Sequence, residues 1–416
     1  MQNNKGVQLE IKKIIKRAIG TGNTDRLKHI LNEYRFKNSV RSGSVGQIHS
    51  KYEYDYYGIE GYHVFFGYYD LQQTEGEKLL VHVLRENSIS GKDSIEIAYV
   101  DPGSHQFYAI TTSYAWSWQQ GSRLRWSNKN QGCIYFNNFD GKDYCTELWD
   151  VGSRKLVRKI GAPLYDICPG EQMGFSVNFS RLQRLRPGYG YTNLPDETAN
   201  DYAPENDGLY VVDLIEDTKK NFVSIRQLAD ENGVDTDGNC YINHVSVCPG
   251  GKWFIFFFIW AKENDVDRKV WLYLGDYTDM SFKCIEKDAT VSHYCWEGTE
   301  KLVYTSTDGH YYTYDLRNGI KTQLSSDYVK EDGHPNWIKE NQKILSDTYR
   351  KKNGFQNLFM MDDSGNNYEM IAELFCDPRF YDEYRCDLHP RVSKNDITVD
   401  STFLSGRRCV VRFNRP

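Results

Sequence analysis

The feature that most constrains the fold of this chain is a unit that recurs from about residue 60 to the C-terminus. Each copy is a short strand, a Gly/Asn/Lys turn and a second apolar strand, and most copies continue into a third strand ending in Asp and a fourth strand. The clearest copies are residues 243–260, 291–307, 332–349 and 387–403, and the looser copies are 62–84, 122–139 and 164–179. Four antiparallel strands per unit, with units starting about 40–80 residues apart, are typical of β-propeller blades.

Seven such units predict an all-β, seven-bladed β-propeller spanning residues 44–416. The seventh unit stops after its third strand, at 407–413, and would leave an unpaired outer edge. Exposed edges invite aggregation and are normally covered. We therefore expect a strand from about residues 45–57 to complete the seventh blade and close the ring.

Residues 1–43 predict a short basic helical arm before the propeller. Apolar spacing indicates helix over 7–36, with Thr24 capping a second helix that runs through Glu33. Residues 1–41 carry a net charge of +7 and the rest of the chain carries −13.

This arm has two interpretations. One is a pair of helices packed on the side of the propeller. The other is contact with an anionic surface, either lipid headgroups or a partner. The residues expected to make that contact are Lys12, Lys13, Lys16 and Arg17.

Composition excludes several classes of protein. The acidic body carries no basic stripe of the kind that nucleic-acid modules need. The longest apolar run, residues 253–260, is far shorter than the ~20 residues of a membrane-spanning helix. The first fifteen residues lack the apolar core of a secretory signal, which predicts a cytoplasmic protein, held at the inner membrane if the arm binds lipid. Ten scattered cysteines predict reduced structural thiols.

The residues that open the innermost strands are the candidate site, because in a propeller they gather round one mouth of the central channel. Four blades offer histidine there, and imidazole is the commonest neutral metal ligand. Three imidazoles and an amide oxygen would suit Mn, Fe, Ni or Zn. The alternative is that each histidine ties one blade to the next. The histidines are His244, His293, His334 and His389, and the earlier blades offer Asp70, Gln120 and Asp166.

The long loop at 180–206 is the second candidate, since loops of this length are usually functional or disordered. Arginine forks and tyrosine faces suit the carboxylate and ring of an acidic sugar. Alternatively, the arginines pair with Asp196, Glu197 or Asp201 in a surface flap. The candidate residues are Arg181, Arg184, Arg186, Tyr189 and Tyr191.

Several segments resemble the oligogalacturonate lyase-like, TolB-like seven-bladed propellers, many of which are encoded among bacterial capsule and lipopolysaccharide genes. They are DGHPNW…LSDTY, CDLHPRVS…DSTF, NHVSVCPGGKWFIFF and FFGYYD. NFSRLQRLRPGYGY and YAWSWQQGSRLRW look like the surface-polysaccharide branch of this family.

The resemblance implies a metal held mainly by histidines, with a glutamine, that binds a uronate carboxylate while a histidine and an arginine handle proton abstraction. It implies the base role for His244, ligand roles for His293 and His334, and by position a further ligand in His389. The glutamine expected before the HP unit is not present, because Glu331 and Asp332 precede His334. Arg181, Arg184 and Arg186 are the candidates for the catalytic arginine.

Three functions follow as hypotheses. The first is a metal-dependent lyase that cleaves an acidic oligosaccharide by β-elimination in surface-polysaccharide metabolism, with Gln120, Asp166, Tyr189 and Tyr191 contacting the substrate. The second is a non-catalytic propeller that binds a glycan or a glycosyltransferase. The third is a hydrolase that uses carboxylates at the channel mouth.

Overall fold

The computed structural model describes residues 21–262, 268–324 and 328–415, and in this part of the chain the strands form seven antiparallel sheets. Each sheet contains three or more strands that follow one another in sequence, so each is one propeller blade, and two sheets also include a strand from before residue 60. The seven-bladed propeller predicted from the repeats is confirmed.

The first three blades run from residue 62 to residue 224, and in each the chain moves outward from the innermost strand. Blade one comprises β3 (Tyr62–Phe65), β5 (Lys78–Arg85), β6 (Ile95–Asp101) and β7 (Gln106–Ser113), with the short β4 (Thr74–Glu75) beside β5. Blade two comprises β8 (Arg125–Trp126), β9 (Cys133–Phe139), β10 (Tyr144–Asp150) and β11 (Lys155–Ile160). Blade three comprises β12 (Asp166–Ile167), β13 (Met173–Ser176), β14 (Gly208–Asp213) and β15 (Thr218–Ser224).

The last four blades follow the same order. Blade four comprises β16 (Asn239–Val247), β17 (Trp253–Ala261), β18 (Arg268–Asp276) and β19 (Ser281–Ala289); blade five β20 (Val291–Glu297), β21 (Lys301–Ser306), β22 (Tyr311–Asp315) and β23 (Lys321–Leu324); blade six β24 (Asn336–Ile338), β25 (Lys343–Asp347), β26 (Phe355–Asp362) and β27 (Glu369–Phe375); and blade seven β28 (Arg391–Val392), β29 (Asp396–Ser401) and β30 (Cys409–Asn414).

Two strands from the N-terminal side complete the last two blades. β2 (Tyr54–Tyr57) pairs antiparallel with β30, with Tyr54 opposite Phe413, and becomes the fourth strand of blade seven. This confirms the predicted closing strand. β1 (Ile48–Ser50) pairs with β27 and adds a fifth strand to blade six.

Apolar side chains buried between neighbouring blades hold the ring together. From Phe254 onward every residue of β17 is buried, on both faces of the strand, because blade four is packed between blades three and five. A strand covered on both faces has no need of alternating polar residues. All ten cysteines are free thiols and all except Cys284 are buried, as predicted.

Three helices lie within the described residues: α1 (Thr21–Arg41), α2 (Phe179–Leu185) and α3 (Ile225–Asn232). The prediction that Thr24 caps a second helix is wrong, because Thr24 lies inside α1. Residues 7–20, which include Lys12, Lys13, Lys16 and Arg17, lie outside the described residues. None of the helices in the described part of the chain has the length and apolar character needed to cross a membrane.

Candidate metal centre at the channel mouth

Local irregularities of the innermost strands place the histidines. In β16 the pairing register shifts between Asn243 and Ser246, and His244 lies within this bulge with φ of 52°. In β20 an equivalent shift between Val291 and Tyr294 contains His293. Bulges bend a strand and redirect its side chains. Two blades therefore turn a histidine into the channel by the same device.

The other two histidines precede the innermost strands of blades six and seven. His334 and His389 are each followed by proline, which keeps the backbone of the preceding residue out of the helical region. His389 has φ of 46°, an uncommon value for a residue with a side chain. Such strain persists where surrounding contacts hold it, often at functional sites.

The four imidazoles form one cluster. Ring centroids are 4.1 Å apart for His293 and His334, 4.5 Å for His334 and His389, and 6.0 Å for His244 and His293. The Tyr68 ring packs against His244 at 5.5 Å. Residues that are far apart in sequence therefore meet in one buried cluster, as the radial arrangement of blades predicted.

A neighbouring oxygen faces Nδ1 of each ring. His334 Nδ1 lies 2.9 Å from Asp347 Oδ1, and His389 Nδ1 lies 2.9 Å from the Gly67 carbonyl oxygen. For His293 the partner is Asp332 Oδ1 at 3.1 Å. Such contacts fix ring orientation in metal sites and leave Nε2 as the ligand atom. Gly67 also packs closely against the Gln120 backbone, since a Cβ there would lie 2.8 Å from the Gln120 carbonyl carbon.

Two imidazole nitrogens and a carboxylate share a small buried space. Potential ligand atoms of His334, Asp387 and His389 lie within 4.8 Å of one another. Nε2 of His334 and Nε2 of His389 are buried and have no hydrogen-bond partner among the described residues. Buried polar atoms without partners are costly, and a cation would satisfy both. The donor set and these two atoms fit a divalent transition metal.

The electrostatics keep His244 and His389 neutral. Burial lowers the pKa of His244 well below its usual value, and His293 lowers it further. Burial also lowers the pKa of His389 well below its usual value, with a contribution from His334. Burial alone would lower the pKa of His334, but the nearby carboxylates of Asp347, Asp387 and Asp332 together raise it above its usual value.

A cavity of about 280 Å³ adjoins the cluster. Tyr349 lines it, and its ring centroid lies 5.6 Å from that of His334. Asp387 also lines it, so the cavity leads to the candidate metal ligands. Its lining also includes Asn32 and Arg35 of α1.

Arg385 provides a cationic wall for this cavity. Its Nε donates to Asp387 Oδ2 at 2.6 Å and its Nη2 donates to the Tyr189 hydroxyl at 2.8 Å. Nη1 makes no hydrogen bond to any described residue. Gln119 holds the segment in place by donating to the carbonyl oxygens of Glu383 and Arg385.

The predicted arginines of the 180–206 loop are used largely within the loop. All five N–H donors of Arg181 are engaged, by Thr198 and by the carbonyl oxygens of Cys240, Asp201 and Tyr202. Arg184 Nε donates to Asp196 Oδ2 at 2.7 Å.

For Arg181 and Arg184 the structure therefore shows the pairing with Asp196 that we weighed as the alternative. Neither guanidinium joins the histidine cluster.

Two other predicted residues of this loop are closer to the cluster. Tyr189 lies with its ring centroid 6.0 Å from that of His244. Arg186 stacks on Tyr189 at 5.2 Å and is among the charges that lower the pKa of His244. Tyr191 is elsewhere, stacked on Phe179 at 4.5 Å.

Gln120 and Asp166 are buried and bonded to protein groups. Gln120 Nε2 donates to the Tyr165 hydroxyl at 2.6 Å, and that hydroxyl also receives the His244 backbone N–H. Asp166 pairs with Arg125 and accepts the Val247 backbone N–H. Both connect neighbouring blades, and within the described part of the chain Asp166 makes no side-chain hydrogen bond to a histidine ring.

Sequence reasoning missed Asp387, Asp347 and Arg385. The signal for Asp387 was its position two residues before His389, because alternate residues of an extended segment share a side. Asp347 ends β25 and is joined to His334 only by the folded sheet. No local pattern marks Arg385.

Fold and site together define the class: a seven-bladed propeller with a histidine–carboxylate cluster at one channel mouth. No protein-family model and no curated protein matches the chain. Among solved structures it is similar to an oligogalacturonate lyase in complex with manganese, with a TM-score of 0.61, 13% identity, and coverage of 90% of this chain and 98% of that one. An oligogalacturonate lyase from Vibrio parahaemolyticus gives a TM-score of 0.58, 11% identity, and 89% and 99% coverage.

Two further solved structures align with the chain. A chain of the mitotic checkpoint complex gives a TM-score of 0.52 at 11% identity, covering 89% of this chain and 93% of that one. TolB from Acinetobacter baumannii aligns with a TM-score of only 0.37, at 14% identity and 77% and 76% coverage. At these identities the likeness shows the fold alone. The suspected resemblance to oligogalacturonate lyase-like propellers is confirmed at that level.

Proposed function

We propose that this protein is a metal-dependent, carbohydrate-active propeller that cleaves a uronate-containing oligosaccharide by β-elimination. The observation that carries the proposal is the pair of buried Nε2 atoms of His334 and His389 beside the Asp387 carboxylate. Neither atom has a hydrogen-bond partner among the described residues. We further propose that it acts in the cytoplasm, in bacterial surface-polysaccharide metabolism, which is the role its family resemblance implies.

His334, His389 and Asp387 are the proposed metal ligands, with His293 adjacent. A divalent metal bound there would stabilise negative charge on the substrate carboxylate. Manganese is the first candidate, since a similar fold is solved as a manganese complex.

Arg385 is the proposed second group for the carboxylate. Its Nη1 is not engaged by described residues, while Nε and Nη2 are held by Asp387 and Tyr189. A guanidinium fixed in this way is preorganised for the charge that develops when the uronate C5 proton is removed. Arg385 thus takes the role that the sequence could not assign.

His244 is the proposed base. Burial and His293 keep it neutral, so it can accept a proton. If its Nδ1–H is donated to the Tyr68 oxygen, 3.2 Å away, the Nε2 lone pair is available. The C5–H bond breaks towards Nε2, the C4–O bond breaks, a C4=C5 double bond forms, and the leaving oxygen takes a proton from solvent.

A lyase assay tests this function. Oligogalacturonate with Mn²⁺ is the first probe, and unsaturated products are detected by their ultraviolet absorbance. We expect His244→Gln to lower the rate by about 10²- to 10⁴-fold, the usual contribution of general base catalysis. The exposed His105→Gln variant is the matched control. A His244→Gln variant as active as the wild type would contradict the assignment.

A non-catalytic propeller that binds a glycan, or a glycosyltransferase partner, is the alternative. The observation that favours it is burial, since all four imidazoles are at most 3% exposed. This function predicts oligosaccharide binding by calorimetry without unsaturated product, and unchanged affinity in His244→Gln.

A further inference from the structure

Helix α1 packs on the propeller mainly through polar groups, the reverse of an ordinary surface helix. Its most buried described residues are Asn32 and Ser39. Lys28 Nζ bonds Asp382 Oδ2 at 2.7 Å. The main aromatic contact is Phe36, on which the Arg379 guanidinium stacks at 3.5 Å. Asn32 and Ser39 are hydrogen-bonded to Arg35 within the helix, so the contacts named here between α1 and the propeller are the Lys28–Asp382 ion pair and the Phe36–Arg379 stack.

The outward face of α1 carries the apolar residues. Leu27, Ile30, Leu31 and Tyr34 follow the i, i+3, i+4, i+7 spacing of one helix face, and each is between 47% and 59% exposed. Scattered exposed apolar residues are normal, but an aligned stripe of four indicates an interaction surface.

Basic residues flank this stripe. On a helical projection Arg26 and Lys37 lie along one edge, and Arg41 follows one turn beyond. All three are exposed. Residues 1–41 as a whole carry +7 against −13 on the rest of the chain.

This charge decides the occupant of the surface. A symmetric dimer formed through this face would bring one positive segment against another, which is unfavourable. An apolar stripe with basic flanks instead matches the interface of an anionic bilayer. We propose that the outward face of α1, defined by Leu27, Ile30, Leu31 and Tyr34, docks the protein on an anionic lipid surface.

The same helix borders the candidate site. Asn32 and Arg35 line the cavity that leads to Asp387, and Lys28 and Phe36 contact the segment from Arg379 to Asp382. That segment continues to Arg385, Asp387 and His389. Docking through α1 would therefore hold the channel mouth close to the lipid surface.

Vesicle sedimentation with the full chain tests this proposal. Wild-type protein is mixed with phosphatidylcholine vesicles that contain or lack phosphatidylglycerol. We expect binding only to the anionic vesicles, weakened by added salt. The triple variant Leu27→Gln, Ile30→Gln, Leu31→Gln should bind on the order of tenfold more weakly, because its aliphatic side chains no longer enter the interface.

Leu156→Gln with Val157→Gln is the matched control, since these apolar residues are equally exposed but lie on β11. A charge variant, Arg26→Glu with Lys37→Glu, gives an independent test that leaves the apolar stripe intact. Absence of wild-type binding would overturn the proposal. Binding by the triple variant and by the charge variant that is as strong as that of the wild type would also overturn it. A wild-type dimer in light scattering that the triple variant converts to monomer would assign the face to a second copy.

Discussion

Asp347 is the single residue that connects most of the candidate metal centre. One carboxylate oxygen lies 2.9 Å from His334 Nδ1 and accepts the His334 backbone N–H at 2.8 Å. The other oxygen accepts the His389 backbone N–H at 3.2 Å. It orients one proposed ligand ring and fixes the backbone of both histidines.

We expect Asp347→Asn to weaken metal binding by about 10- to 100-fold, the usual effect of losing such a supporting carboxylate. The measurement is Mn²⁺ titration by calorimetry. Asp213→Asn, at an exposed turn, is the control and should bind as the wild type does. Equal affinities in both variants would contradict the role given to Asp347.

We expect His82, which lies outside the histidine cluster, to make the free energy of unfolding depend on pH. It is fully buried, with Nδ1 2.9 Å from the Phe66 carbonyl oxygen and Nε2 2.9 Å from the Ser122 hydroxyl. Burial lowers its pKa from 6.5 to about 4. Between these values the unfolded chain binds more protons, so the free energy of unfolding should fall as pH decreases through this window.

The expected contribution is at most about 1.4 kcal/mol per pH unit. Denaturant unfolding between pH 7 and pH 4, compared between wild type and His82→Asn, should show a shallower dependence in the variant. His105→Asn, at an exposed histidine, is the control. If the free energy of unfolding depended on pH equally in wild type and His82→Asn, His82 would not be the source of this pH dependence.

At the scale of elements, the closing strand β2 completes blade seven and so closes the ring. Tyr57 is 1% exposed and packs with Val410 in the core between blades seven and one. Tyr54, on the same strand, is 40% exposed. One strand thus supplies both a core residue and a surface residue.

Tyr57→Ala should lower the free energy of unfolding by about 3 kcal/mol, as large-to-small changes of buried aromatic residues do. Tyr54→Ala, the matched control, should cost less than about 1 kcal/mol. Denaturant titration measures both. Similar losses for the two would mean that the strand does not enter the core.

The repeats predicted the blades because each blade is a local unit whose strand periodicity and turns lie within one stretch of sequence. The closing strand was predictable from the unpaired seventh unit. Convergence of the histidines followed from the topology alone. Asp347 and Arg385 escaped prediction because their roles arise from contacts between a strand end, a loop and another blade. For Arg181 and Arg184 the structure shows the alternative interpretation, since both guanidinium groups pair with Asp196 of the loop.

At the scale of the whole molecule, the proposed metal centre joins two blades. His334 comes from the entry to blade six, and Asp387 and His389 come from the entry to blade seven. A bound ion would therefore link the two blades that the N-terminal strands also complete. Metal binding should stabilise the whole ring as well as the site.

We expect saturating Mn²⁺ to raise the thermal midpoint, with a gain of about 2.7 kcal/mol at a hundredfold excess over Kd. A chelator should reverse the shift. Scanning calorimetry on wild type and on the His334→Ala, His389→Ala double variant measures it, and the variant should show no shift. A shift of equal size in the variant would place the metal elsewhere.

The position of β1 and β2 also has a consequence for biosynthesis. Tyr54 can pair with Phe413 only after all the blades that lie between them in the sequence have been synthesised. Six blades can collapse as they leave the ribosome, but the circle stays open until the final strand emerges. Such distant pairing slows folding and exposes unpaired edges in the meantime. Nascent chains are therefore at risk of misassembly until β30 has been synthesised, and loss of this one strand should be far more damaging than its six residues suggest.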